Sequence, residues 1–220
     1  MAAEVAVFSE DFMVNLALMG AFIPTFFLVS VSPGLCMTMA MTVGMNQGVR
    51  RALWMMAGEL LGVGLVATAA VCGVAGLMLQ FPQWFFYLKC LGALYLLYVA
   101  AQMWWAKGSF RLPQAGEGRR LLPRTQLFSQ GFVTAVSNPK GWAFHMALLP
   151  PFIDPALAFW PQLLVLLFIL LTLEFSCLLL YAAGGRVMAR FFQNPAKAQW
   201  LNRICAVLMA GLALWMVMGD

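Results

Sequence analysis

Leu127-Phe128-Ser129-Gln130-Gly131-Phe132-Val133-Thr134-Ala135-Val136-Ser137-Asn138-Pro139-Lys140-Gly141-Trp142-Ala143-Phe144-His145-Met146-Ala147-Leu148-Leu149-Pro150 decides the fold. Wound as a helix, it has the length a bilayer crossing needs, about 20 residues. Near its middle, Pro139 removes a backbone donor and clashes with the preceding turn, at about 3 kcal/mol or more. Hydrocarbon offers the freed carbonyls no water, so such a break is tolerated only against protein or a wet cavity. A second apolar run, from about Val14 to Met45, is too long for one straight crossing and is interrupted by Pro24 and by Ser32-Pro33-Gly34.

The composition agrees with a membrane setting. Of 220 residues, 63% are hydrophobic and 10% charged, and the mean hydropathy is +0.86. Soluble domains carry about 45–50% apolar and roughly 25% charged residues. A water-soluble enzyme, a disordered chain and a DNA-binding module are therefore excluded as readings. The net charge of +5 does not point to nucleic acid, because the basic residues fall in short gaps between apolar runs. The five cysteines, Cys36, Cys72, Cys90, Cys177 and Cys205, have no CxxC spacing. They read as small buried hydrophobes rather than a disulfide framework. No cleavable signal is expected, since Glu4, Glu10 and Asp11 stand where one would need Lys or Arg.

The reading is an all-α membrane protein with six transmembrane helices. They run from about Val14 to Met45, Ala52 to Leu79, Trp84 to Trp105, Leu127 to Pro150, Pro161 to Ala183 and Trp200 to Val217. Basic residues alternate between the loops without exception. Arg50 and Arg51 occupy the first, Lys107, Arg111, Arg119, Arg120 and Arg124 the third, and Arg186, Arg190, Lys197 and Arg203 the fifth. The second and fourth loops have no basic residue, and the fourth carries Asp154. The positive-inside rule then puts the basic loops in the cytoplasm and both termini outside. Between Arg186 and Lys197, basic residues alternate with Val187, Met188, Phe191 and Phe192. That run reads either as an amphipathic segment on the cytoplasmic leaflet, in contact with membrane lipid, or as a plain basic stop signal.

A polar stretch splits the chain three helices and three: residues 1–106, a cytoplasmic linker at 107–125, and residues 126–220. An odd number of spans per half inverts the second half, the plan of many secondary transporters. Pro33 and Pro139 are counterparts in the first and fourth helices, each preceded by a Phe (Phe26, Phe132). Tyr87-Leu88-Lys89 likewise matches Trp200-Leu201-Asn202. Both broken helices place a half-helix start at the midplane, where free N–H groups and the positive dipole end suit a carboxylate. Ser32, Pro33, Gly34, Asn138, Pro139 and Lys140 are thus candidate substrate-binding residues. Lys140 reads either as a fixed charge for a substrate carboxylate or as a seal on the freed carbonyls.

Charges inside a bilayer cost about 2.5–3.5 kcal/mol each and are functional by default. Glu59 sits in the small-residue stripe Gly58-xxx-Gly62. A carboxylic acid in a low-dielectric interior can exchange protons near neutral pH, which suits proton coupling or a substrate ammonium group. Glu174 lies mid-helix and is expected to pair, with Lys140 or Lys89, or to stay protonated. His145, the one histidine, reads as a proton carrier or as a packed ring. Tyr95 and Tyr98 offer hydroxyls to a polar site or simply pack.

Three segments carry a resemblance: Phe128-Ser129-Gln130-Gly131-Phe132, then Ser137-Asn138-Pro139-Lys140-Gly141, then Leu149-Pro150-Pro151-Phe152-Ile153-Asp154-Pro155. With Ser32-Pro33-Gly34, Tyr95-Leu96-Leu97-Tyr98 and Trp200-Leu201-Asn202-Arg203, they resemble the LysE/RhtB family of amino-acid exporters over nearly the whole chain. The chain departs from that pattern in three places. Leu35-Cys36 follows Ser-Pro-Gly where the family has Pro-Asn. Gly58-Glu59 stands near where many members have Gly-Asp, and His145 replaces an aromatic residue. The resemblance implies a secondary exporter, not an enzyme, in the bacterial inner membrane. It implies a small zwitterionic amino acid or derivative as substrate, protons as the exchanged ion, alternating access, a homodimer, and no cofactor or metal. The competing readings are a thiol-disulfide electron relay, which would use Cys36, and a small-solute channel.

Overall fold

A computed structural model describes residues 22–24, 26–27, 30–31, 34–80, 82–106, 121–153, 157–185, 187 and 194–218. Ser32 and Pro33, residues 107–120 of the linker, Asp154 and Pro155 lie outside these residues, as do Arg186 and residues 188–193 of the basic-apolar run after the fifth helix. Among the described residues the regular structure is helical throughout. The elements are α1 (Leu35–Gln47), α2 (Val49–Gln80), α3 (Pro82–Trp105), α4 (Arg124–Val136), α5 (Pro139–Leu148), a short 3₁₀ turn (Pro150–Phe152), α6 (Phe159–Ala183) and α7 (Pro195–Met218). Residues 22–24, 26–27 and 30–31, ahead of α1, are also helical.

Among these residues, α2 over Val49–Val74 and α6 are the two helices long and apolar enough to cross a membrane. The six expected spans are not all matched by one long helix. The first and fourth runs are represented by shorter pieces: α1 and α4 have 13 residues each and α5 has 10. Helices α3 and α7 have 24 residues each, about 36 Å at 1.5 Å per residue. Outward faces are greasy: Leu91, Leu94, Leu164, Phe168, Leu180 and Trp200 are all exposed. Such a continuous apolar surface suits lipid contact and would drive aggregation in water.

The interruption between α4 and α5 has a local explanation. Pro139 has no N–H to give the Ala135 carbonyl, and the Asn138 amide donates to it instead, at 3.3 Å. The Val136 carbonyl accepts the Trp142 indole N–H at 2.9 Å. A carbonyl that an unbroken helix would satisfy internally is thus satisfied by a side chain one turn beyond the break. Ahead of α1, the Val31 carbonyl accepts the Tyr181 hydroxyl of α6 at 2.9 Å. Helix α1 then begins after Gly34, whose backbone is extended and offers no side-chain cap. It ends at Gly48, whose φ of +86° is a conformation glycine adopts without strain. This turn feeds the chain directly into α2.

Helix pairs pack selectively. α2 lies against α4, α1 against α6, and α3 against α7. Small residues set the first two contacts. A methyl at Gly58 would strike the Phe128 carbonyl, and one at Gly131 would strike the Met55 carbonyl and the Glu59 amide. Gly44 meets the Ala182 backbone in the same way. Such close approach is how helices associate where lipid removes the hydrophobic drive. Two buried clusters result. One gathers Phe22, Phe26, Phe144, Phe152 and Leu170. The other gathers Cys36, Met41, Met55, Cys177 and Tyr181. The candidate site lies where they meet.

Candidate functional site

A cavity of about 90 Å³ opens at this junction. Gly34, Cys36 and Met37 reach it from the start of α1, Glu59 and Val63 from α2, and Asn138 and Gly141 from the α4–α5 break. His145 closes it from α5 and Glu174 from α6. The first turns of two short helices therefore converge on one chamber, and among the described residues its charged lining is acidic. The volume equals that of about three liquid waters.

Glu59 is fully buried. Neither Oε1 nor Oε2 has a hydrogen-bond partner in good geometry among the described residues. Its polar neighbours are the Cys36 thiol and the Glu174 carboxyl, both close enough to interact with it electrostatically. A buried carboxyl with unmet acceptors costs about 1–3 kcal/mol or more. The close approach of α4 at Gly131 fixes the Glu59 backbone. Its side chain is thereby held toward the chamber rather than toward lipid.

His145 is buried, and its Nδ1 lies 2.6 Å from the Gly141 carbonyl. The carbonyl can only accept, so Nδ1 carries the proton. The ring stacks loosely on Phe26, with centroids 6.5 Å apart. Beyond it, Phe152 meets Phe22 and Phe26 edge to face and Phe22 lies tilted on Phe26, with centroids from 4.3 to 6.5 Å apart.

The expected residues divide into three groups. Gly34, Asn138, Glu59, Glu174 and His145 meet at the chamber. Pro139 and Lys140 open α5; Pro139 is exposed, and the side chain of Lys140, like that of Lys89, lies outside the described atoms. Tyr95 does not line the chamber. It packs half-buried at the edge of the core, its ring centroid 6.3 Å from that of Tyr98. Sequence reasoning missed Ser30, Trp142 and Tyr181. Trp142 and Tyr181 gave a faint signal, as donor-bearing aromatics within or facing interrupted helices.

A larger hollow of about 1010 Å³ adjoins the chamber and shares Gly34 and Leu35 with it. It runs between α1 and α4 and is lined by Thr38, Thr42, Asn46, Gln130, Thr134 and Ser137, among others. The Thr38 and Thr42 hydroxyls donate to carbonyls of their own helix at 2.8 Å. They therefore offer passing solutes acceptor lone pairs rather than protons. At the end of this vestibule away from the chamber, the Gln47 side-chain oxygen accepts the Leu122 amide at 3.1 Å.

Residues 27–219 match the LysE type translocator family. A homoserine/homoserine lactone efflux protein of Salmonella typhimurium is 29% identical over 83% of this chain and 87% of its own length. A leucine efflux protein of an Enterobacter species is 26% identical over 86% of this chain and 89% of its own. A Vibrio cholerae protein described as an uncharacterized membrane protein is 25% identical over 88% of this chain and 93% of its own. No solved structure matches the chain significantly. The apolar helical bundle, the interrupted fourth run and a match over most of the sequence agree, and the chain belongs to the LysE type translocators, a family of membrane transporters.

Proposed function

We propose that this protein is a secondary transporter that exports a small amino acid or amino-acid derivative from the cytoplasm, by proton antiport with alternating access. The observation that carries this reading is Glu59: a fully buried acid with unmet acceptors, facing a second acid across a chamber at the start of two short helices. Relatives named for homoserine, homoserine lactone and leucine efflux support the substrate class. All three compounds carry a primary amine, whereas the lactone has no free carboxylate.

In this reading, six helices form two inverted repeats, residues 1–106 and 126–220, joined by the linker at 107–125. Exchanging first for fourth, second for fifth and third for sixth helix turns the α1–α6 packing into α4–α2 and leaves α3–α7 in place, as repeat symmetry requires. Ser32, Pro33 and Gly34, with Asn138, Pro139 and Lys140, hold the substrate. Glu59, Glu174 and His145 exchange the proton. The basic ends gather on one side, where the Arg124 guanidinium covers the Trp54 ring at 5.5 Å and that of Arg203 covers Trp104 at 5.3 Å. That side is the cytoplasm under the positive-inside rule, so the vestibule opens inward. The protein is then a multi-pass homodimer of the inner membrane with both termini outside.

Counterflow in proteoliposomes against a panel of labelled amino acids tests this reading. The wild type is expected to exchange at least one of them, faster under an imposed pH gradient. Glu59→Gln should lose that gradient response, by about tenfold or more (~1.4 kcal/mol), and Lys140→Ala should raise KM. No exchange of any amino acid, with or without the gradient, overturns the exporter. Unchanged exchange in both variants overturns the site alone.

A further inference from the structure

We propose that this protein moves as two bodies zipped by small residues, α1 with α6 and α2 with α4, which turn against each other at Gly48. This deepens the transport reading above, on which it rests, by naming the moving parts. Neither body is a sequence half: each pairs a helix from the first half with one from the second.

Backbone approach defines each body. In the first, a methyl at Gly44 would lie 2.7 Å from the Ala182 Cα, and one at Gly185 would lie 2.6 Å from the Met45 Cγ. The Tyr181 hydroxyl of α6 also holds the Val31 carbonyl ahead of α1. In the second, a methyl at Gly58 would lie 2.8 Å from the Phe128 carbonyl carbon. One at Gly131 would lie 2.9 Å from the Glu59 amide, and one at Gly62 2.7 Å from the Ala135 Cβ. Helices in such close approach have little flexible side chain between them to repack, so each pair moves together.

The packing between the bodies is of another kind. Helices α1 and α4 face each other across the ~1010 Å³ vestibule. There the Thr134 hydroxyl meets the Met39 sulfur at 3.6 Å, a weak bond to a flexible thioether. Helix α2 meets α6 where a methyl at Gly64 would touch the Leu171 side chain at an ordinary 3.7 Å. Side-chain contacts like these slide as packed helices shift. The chamber takes Gly34, Cys36 and Glu174 from one body and Glu59, Val63 and Ala135 from the other. Turning one body against the other therefore reshapes the chamber while both zipped contacts stay intact.

Gly48 is the covalent joint between the bodies. Its φ of +86° and ψ of 156° lie in a region essentially closed to residues with a Cβ. No described atom lies within 4 Å of where a Cβ would stand, so the joint has room to turn. Beside it, the Gln47 side chain ties the end of α1 to the Leu122 amide, just ahead of α4. Met39 stands about 14 Å along α1 from this pivot, at 1.5 Å per residue. A turn of about 15° then carries it by about 4 Å relative to Thr134.

The test uses the full-length protein in proteoliposomes, with the five native cysteines replaced. One cysteine pair, Met39→Cys with Thr134→Cys, spans the two bodies. The other, Met45→Cys with Gly185→Cys, lies within one body. Each is bridged by a short bifunctional methanethiosulfonate, with bridging read by intact mass and reversed by a reductant. The bridge between bodies should lower amino-acid counterflow at least about tenfold, and the reductant should restore it. The bridge within a body should change it less than about twofold. A monofunctional reagent of the same size should leave at least about half the rate in both pairs, which separates locking from blocking. Gly48→Ala should slow counterflow about tenfold at an unchanged half-saturating concentration, since a hinge governs turnover rather than binding. Full counterflow through the bridged Met39–Thr134 pair, or equal inhibition by both bridges, overturns the two bodies and leaves the exporter standing. Failure of every amino acid in wild-type counterflow removes the transport reading and the two bodies with it.

Discussion

Glu59 is the residue at which stability and function part. A fully buried carboxyl without hydrogen-bond partners among the described residues contributes nothing to packing that an apolar side chain of the same volume would not. Replacing a buried polar group by a well-packed hydrophobe is often neutral or stabilising, by about 1–4 kcal/mol. Glu59→Leu is therefore expected to unfold at the same temperature as the wild type or higher, and to abolish exchange. Thermal unfolding in detergent beside counterflow measures both, and a markedly lower unfolding temperature would mean that Glu59 is a structural ion-pair member instead. His145 stands in contrast, because its Nδ1–H already meets the Gly141 carbonyl and its ring packs on Phe26.

At the scale of elements, side chains satisfy a backbone carbonyl in each of the first and fourth runs. Trp142 does this for Val136, and Tyr181 for Val31. Trp142→Phe keeps the ring and removes the donor. It should cost about 0.5–1.5 kcal/mol, the range found for side-chain hydrogen bonds within membrane proteins. Denaturant unfolding in mixed micelles reads this cost, and an unchanged midpoint would mean that water, not the indole, serves the Val136 carbonyl. Helix α4 ends at Val136 and α5 begins at Pro139, where the missing proline donor makes a helix end expected. The apolar runs, the basic alternation and the acids Glu59 and Glu174 were legible for similar reasons of composition and period. Their meeting was not. Glu59 and Glu174 are far apart in the chain, and their contact depends on α2 and α6 packing side by side, which no local pattern encodes. For Glu174 the expectation was a lysine partner or a retained proton; the side chains of Lys140 and Lys89 lie outside the described atoms, and the fold sets Glu174 near Glu59. Tyr95 was ambiguous for a simpler reason: a tyrosine in an apolar helix looks alike whether its face meets a cavity or the core.

For the whole molecule, the two hollows and the aromatic seal describe one conformation of a transporter. On one side of the chamber Phe22, Phe26 and Phe152 interlock, and such aromatic pairs add about 0.5–1.5 kcal/mol each beyond their buried area. On the other side, α1 and α4 are held apart by their own partners, α6 and α2, and leave the ~1010 Å³ vestibule between them. In the proposed orientation, with the basic helix ends in the cytoplasm, this conformation is open inward and shut outward. A cysteine at Thr42, on the vestibule face of α1, should then react with a membrane-impermeant maleimide from the cytoplasmic side. In a background with the five native cysteines replaced, Thr42→Cys is expected to label at least about tenfold faster in inside-out than in right-side-out vesicles, since a closed path adds ~1.4 kcal/mol or more to the approach. Phe152→Ala should loosen the opposite seal and narrow that ratio, because the lost ring leaves a gap in the packing that water can enter. Equal labelling from both sides in the unsealed and sealed proteins alike would mean that the vestibule is not a one-sided entrance, and the rocking of α1 against α4 would lose its basis. A reversed ratio would keep the gates and invert the molecule in the membrane, which separates the charge argument from the packing argument.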